Sequence, residues 1–217
     1  MRNIMLKELK LSASPLTYFF VLFELMFFLP GYPILCGAFF VTLGLFKGFQ
    51  LTREANDIEF SMLLPISKKD IVRGKYYFVC FIEMCGLLLM MGVTLIRMTV
   101  LSGSAVYHAN ALMNANFYAI GCAFVIFGLF NVIFVEGFFK TAYNLGRPFI
   151  TYLIVVFLMI GLFEASHYFP GLGVLNAFGF DHFGCQFVLM LGGLAAFLIM
   201  TWFSCRLACS HFEKIDL

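Results

Sequence analysis

One charged segment interrupts an otherwise apolar chain. Residues 51–78 read LTREANDIEFSMLLPISKKDIVRGKYYF and hold nine of the charged side chains, in a 217-residue sequence of which only 12% is charged. The runs on either side are long and apolar enough to cross a bilayer, which takes about 20 mostly apolar residues per helix. A segment this charged, fixed between two such runs, is held at the membrane surface. Composition agrees, since 62% of the chain is hydrophobic and its mean hydropathy is +0.96. A soluble domain carries about a quarter charged residues, so the excess apolar surface, thirty Phe included, is expected to face lipid.

The sequence predicts an all-α integral membrane protein with six transmembrane helices in a single membrane domain, 1–217. The spans fall at about 16–29, 34–51, 76–101, 114–139, 149–168 and 185–208, with a surface loop at 52–75. Ser14-Pro15 opens the first span as a cap followed by proline at the first helical position. Pro30-Gly31-Tyr32-Pro33 reads as a tight turn that makes the first two short spans a hairpin. Residues 1–11 are expected to form an interfacial helix, with Met5, Leu6 and Leu9 clustered on one side. They lack the continuous apolar core and small-residue cleavage site of a signal peptide.

Lys and Arg positions orient the chain. With the N-terminus inside, the inner segments hold Arg2, Lys7, Lys10, Lys47, Arg53, Lys68, Lys69, Arg73, Lys75, Lys140, Arg147, Arg206 and Lys214, and the outer segments hold Arg97 alone. By the positive-inside rule both termini are cytoplasmic.

Ionisable groups at membrane depth are costly and are functional candidates by default. Glu24 and Glu83 lie eight and seven residues into their spans, roughly 10–12 Å from the inner surface at 1.5 Å per residue. Each must face protein or water. They either line a path for a cationic or amphipathic substrate or hydrogen-bond neighbouring helices. Glu136 and Lys47 lie near inner span ends, where an ion pair is plausible. Arg97 is expected to reach outward to the outer headgroups.

Other chemistry is weakly signalled. The seven Cys never form C-x-x-C and read as small apolar residues. Glu164 with His167, and Asp181 with His182, could bind a metal or contact cargo outside, although exposed loop residues are the commoner explanation and no motif such as H-E-x-x-H is present. A net charge of +2 without a basic, aromatic-interleaved tract argues against nucleic acid. Small-residue stretches at Gly192-Gly193 and from Gly121 to Gly128 permit close helix contact, either within one chain or between two.

Within the charged segment, Leu51, Ala55, Ile58 and Met62 recur at helical spacing, and Arg53 and Asp57 form an i, i+4 pair on the opposite side. This predicts an amphipathic helix over 53–62, with acidic Glu54, Asp57 and Glu59. Leu64-Pro65 stops it. Ser67 with Asp70 three residues on reads as a capping box that starts the next helix, amid Lys68, Lys69, Arg73 and Lys75. Basic residues satisfy orientation, but acidic ones contribute little to it, so the acidic helix needs another explanation.

The passage Arg53-Glu54, Asp57-Ile58, then Leu64-Pro65-Ile66-Ser67-Lys68-Lys69-Asp70 through Lys75-Tyr76 resembles the loop between spans two and three of small bacterial ABC-2 type permeases. Layout and chain length are similar throughout. The resemblance implies a permease subunit of an exporter in the cell membrane, similar to exporters of antimicrobial and amphipathic peptides, in a family that also includes exporters of lipids or small toxic compounds. It implies a cytoplasmic coupling helix at 53–62 and an elbow at 64–76, so that Arg53, Glu54, Asp57, Ile58, Glu59, Met62, Pro65, Lys68, Lys69 and Asp70 would meet the ATPase. The partners implied are two copies of a cytoplasmic ATP-binding-cassette subunit and a second permease, identical or homologous. The chain has no G-x-x-x-x-G-K-[ST] phosphate loop, so ATP and Mg are expected on the partner, with no cofactor here and no enzymatic activity of its own. A peptide-sensing or immunity protein without transport shares these features. An intramembrane protease fits less well, since no E-E-x-x-x-R-like pairing or intramembrane His is present.

Overall fold

The computed structural model describes residues 7–9, 14–63, 65–108, 112–141 and 144–215, apart from the side chain of Ile58. The helix expected over 1–11 falls largely outside these residues, with only 7–9 described, in a helical turn. No strand occurs among the described residues.

The first helix, α1 (Pro15–Phe28), is capped by Ser14, whose Oγ accepts from Leu16 N at 3.2 Å, with Pro15 in the first turn. Its second half, Leu22–Phe28, winds as a 3-10 helix. A 3-10 residue rises about 2.0 Å against 1.5 Å in an α-helix, so the short element reaches further than its length suggests. The winding also stacks residues three apart, and Glu24 and Phe27 turn inward together. Helix α2 (Cys36–Glu54) returns against α1. Gly37 and Gly44, seven residues apart, form the contact: a Cβ at Gly44 would lie 2.6 Å from Phe20 Cβ. At the same crossing Thr17 donates to Gly44 O at 3.0 Å.

After a short helix, α3 (Asp57–Met62), come α4 (Lys68–Thr99), α5 (Phe117–Lys140), α6 (Gly146–Ser166) and α7 (Phe183–Glu213). These last four are long and apolar enough to cross a membrane, while α1 is apolar but shorter. Helix α2 has 19 residues and ends in Arg53 and Glu54. The capping box at Ser67 forms: Asp70 N donates to Ser67 Oγ at 3.1 Å, and Ser67 Oγ donates to Asp70 Oδ2 at 2.8 Å. At the opposite end of the bundle Asn116 caps α5 through Ala119 N at 3.0 Å, and its Nδ2 donates to Leu175 O at 2.9 Å, tying the cap to the loop before α7.

Helix α5 is the central element. Phe130, Phe134 and Phe138 project from it at four-residue spacing and are fully buried. Phe49 packs edge-on to Phe134 and Phe138 at 5.2 and 4.9 Å, and Phe46 stacks on Phe149 at 3.7 Å. Much of the phenylalanine that composition assigns to lipid therefore builds the protein core, with pairs of this kind adding about 0.5–1.5 kcal/mol beyond area burial. Helices α6 and α7 leave large apolar residues outside, including Ile154, Leu162, Val188 and Ile199.

Two expected charge placements are corrected. Arg97 does not reach outward: it is 1% exposed, donates to Phe27 O at 2.7 Å, and lies 4.3 Å from the Tyr107 ring centroid. The carbonyls ending α1 lack intrahelical donors, and a cation is favoured at a helix C-terminus. Phe27 O and the Tyr107 ring face hold the guanidinium inside, while its Nε and Nη2 have no hydrogen-bond partner among the described residues. Glu136 meets His211 at 2.7 Å rather than Lys47, which is exposed on α2.

Candidate functional site

The charged interruption folds as two pieces rather than one helix. Helix α2 ends at Glu54, and Asn56 takes the left-handed conformation at φ 48° before α3 begins. The continuous helix expected over 53–62 is therefore broken at Ala55-Asn56. Asparagine tolerates this region better than most residues, which suits it to the break. The bend separates Arg53 from Asp57, so they no longer sit one turn apart on a common helix. Asp57 is instead drawn inward, 2.8 Å from Lys7 Nζ, and the same ammonium contacts Ser61 Oγ.

The remaining residues of this set divide by exposure. Arg53, Glu54, Glu59 and Pro65 are exposed, while Met62 is half-buried and packs on the core. The Ile58 side chain lies outside the described residues. Lys68 donates to Ile215 O at 2.6 Å and Lys69 pairs with Glu213 at 3.0 Å. The start of α4 is thus clamped to the end of α7, with cations set against a helix C-terminus.

Phe60 and Leu63 are not singled out by the helical stripe of this segment. They are 57% and 85% exposed, and with Ala55, Asn56, Glu59 and Met62 they line an open hollow of about 640 Å³. Their signal was present in the sequence as two bulky apolar residues off the inward stripe of a charged segment. Lys75, one of the cations at the start of α4, is drawn inside. It is 3% exposed, and its Nζ donates to Glu8 Oε2 at 2.7 Å and Thr52 Oγ1 at 2.8 Å. One ammonium therefore ties the N-terminal segment, the end of α2 and α4 together beside the projecting α3.

Deeper in the bundle, Glu24 and Glu83 are both fully buried but occupy different surroundings. The Glu24 carboxyl lies between two glycines, its Oε2 2.6 Å from where a Gly37 Cβ would stand and its Oε1 3.5 Å from the corresponding Gly86 point. Neither oxygen has a hydrogen-bond partner among the described residues. Glu83 Oε2 accepts from Asn131 Nδ2 at 3.1 Å, and Asn131 Nδ2 also donates to Thr201 Oγ1 at 3.0 Å.

Asn131 sits in a π-helical turn, Phe130–Val135. Its carbonyl accepts from Ser204 Oγ at 2.6 Å, and Ser204 shares a 2.5 Å contact with Tyr76 OH. Such turns recur at functional sites. A lone Asn inside an apolar run was its visible sequence signal. Elsewhere Glu164 accepts from Met113 N at 2.9 Å, and no cluster of three metal-ligating side chains occurs among the described residues.

Several apolar helices of spanning length, a charged segment projecting from one end and carboxyls sealed within the bundle define a multi-pass membrane protein. The profile of a family described as ABC-2 family transporter protein matches residues 3–213, and the chain belongs to that family. It is a permease subunit of an ABC transporter, a class in which a separate ATPase supplies the energy. No curated protein and no solved structure matches the chain.

Proposed function

We propose that the chain is an exporter permease that receives its ATPase on the projecting segment and moves a hydrophobic or amphipathic substrate, a peptide being the best fit. The six-span topology with cytoplasmic termini belongs to this reading. Thirteen of the cations in the sequence fall on one side in that topology, and α1 with α2 then form the short first hairpin. A second permease, identical or homologous, completes the path.

The observation that carries the reading is the pair of exposed apolar residues Phe60, on α3, and Leu63, at its C-cap, flanked by exposed Glu54 and Glu59. An exposed apolar patch rimmed by polar residues marks an interaction site. Asp57 then acts as the inward fastening of α3 to Lys7 rather than as a docking residue. Phe60→Asp is expected to reduce the ATPase subunit recovered with the purified permease about tenfold, a typical effect of losing a hot-spot side chain, without lowering the melting temperature. Undiminished recovery would remove α3 from the interface.

Glu24 is the stronger substrate candidate, because both its oxygens lack a partner while Glu83 is held by Asn131. Transport into inverted vesicles is expected to fall several-fold for Glu24→Gln and to change little for Glu83→Gln, whose amide oxygen still accepts from Asn131. Equal transport by both variants and the parent would assign Glu24 to packing. ATP-dependent accumulation in vesicles also separates an exporter from a peptide sensor, which accumulates nothing.

A further inference from the structure

A second, larger groove lies apart from the projecting segment. It runs between α4 and α7, encloses about 990 Å³, and has charge at one end and apolar side chains at the other. The charged rim is Lys69, Arg73 and Arg206 against the single carboxylate Glu213. Lys69 is occupied by Glu213 at 3.0 Å, whereas Arg73 and Arg206 are exposed. The Arg206 guanidinium lies over the Trp202 ring, 4.1 Å from its centroid, a contact that uses the cation's face and leaves its N–H donors for an oxyanion.

Away from the rim the walls become Tyr77, Met84, Phe197 and Leu198. From Arg73 to Met84 is eleven residues of one helix, about 16 Å at 1.5 Å per residue. Half of a hydrocarbon core about 30 Å thick is nearly the same length. The groove thus has the depth of one leaflet. Thr201, which also lines it, accepts from Asn131 Nδ2 at 3.0 Å, so its own hydroxyl proton can serve an ester carbonyl below the headgroup.

We infer that this groove binds one anionic phospholipid, its phosphate on Arg73 and Arg206 and an acyl chain along α4 and α7. Charge complementarity at the rim and one-leaflet depth carry the assignment. A soluble phosphate would use the rim and leave the apolar wall bare. Because Thr201 and Asn131 connect the groove to Glu83, an occupied site bears directly on the polar cluster at the π-helical turn. The inference needs no ATPase, so its failure and that of the docking proposal are separately readable.

The test is native mass spectrometry of the purified full chain with phosphatidylglycerol, phosphatidylcholine of the same acyl length, or inorganic phosphate. One phosphatidylglycerol per chain is expected to be retained about tenfold more strongly than phosphatidylcholine. Arg73→Gln with Arg206→Gln should abolish that preference, and Leu198→Trp should lower retention of both lipids by filling the apolar end. Both variants alter exposed side chains, and melting temperatures measured on the same samples confirm that they fold. Equal retention of the two lipids, retention unaffected by either variant, or displacement by phosphate alone would each overturn the assignment. So would crosslinking of Cys80 or Cys205 between two chains, which would show a second copy covering the groove.

Discussion

Gly193→Ala is expected to destabilise the permease by about 3 kcal/mol, the upper part of the usual range for overpacking. Helices α5 and α7 cross where Gly121 faces Gly193. A Cβ on Gly193 would stand 2.3 Å from Gly121 O and 2.7 Å from Gly121 Cα. Both obstacles are backbone atoms, so no rotamer change relieves them, and the helices must part by about 1 Å to regain ordinary contact. The neighbouring Gly192 has nothing within 4 Å of its Cβ position. Gly192→Ala is therefore expected to be neutral, or slightly stabilising through the better helix propensity of alanine. Thermal unfolding in detergent, followed by labelling of the buried thiol of Cys122, compares the two. Equal melting of both variants would refute the crossing.

The second large effect is expected at Lys75. Lys75→Met keeps the length of the side chain and removes the ammonium that bridges Glu8, Thr52 and α4. Breaking a buried ion pair from one side costs about 3–5 kcal/mol. Glu8 retains Lys7 Nζ at 3.6 Å, which places the expected loss nearer the lower figure. Replacing both partners removes the stranded charge and is far less costly, so Glu8→Gln with Lys75→Met should recover most of the stability. If the ion pair also transmits motion from α3 to α4, substrate stimulation of the ATPase stays low in the double variant although its melting temperature returns. Recovery of both properties would make the pair a scaffold only. A single variant as stable as the parent would contradict the buried bridge itself.

Much of the local structure was legible in the chain. Ser14-Pro15 and Ser67 with Asp70 announced their helix starts, because capping chemistry is confined to neighbouring residues. Long apolar runs marked helices of spanning length, and the charged interruption was recognisable as the segment that must stay at the surface. The break at Asn56 was not legible. The stripe Leu51, Ala55, Ile58, Met62 fits one continuous helix, and only the inward pull of Lys7 on Asp57, from fifty residues away, accompanies the turn between them.

Sequence alone, then, determined the class, the helical runs and the family resemblance. Tertiary structure decided how each helix is rotated about its own axis. In water an amphipathic stripe encodes that rotation. In lipid both the packed and the exposed faces of a helix are apolar, so hydropathy does not distinguish them, and the choice passes to small residues and buried polar groups. The sequence therefore left Gly121 and Gly193 open to an internal or an intermolecular contact, and the fold turned them toward each other. It likewise carried Arg97 to the carbonyl end of α1, Glu136 to His211, and Lys75 from an orienting charge at the surface to the centre of a buried bridge.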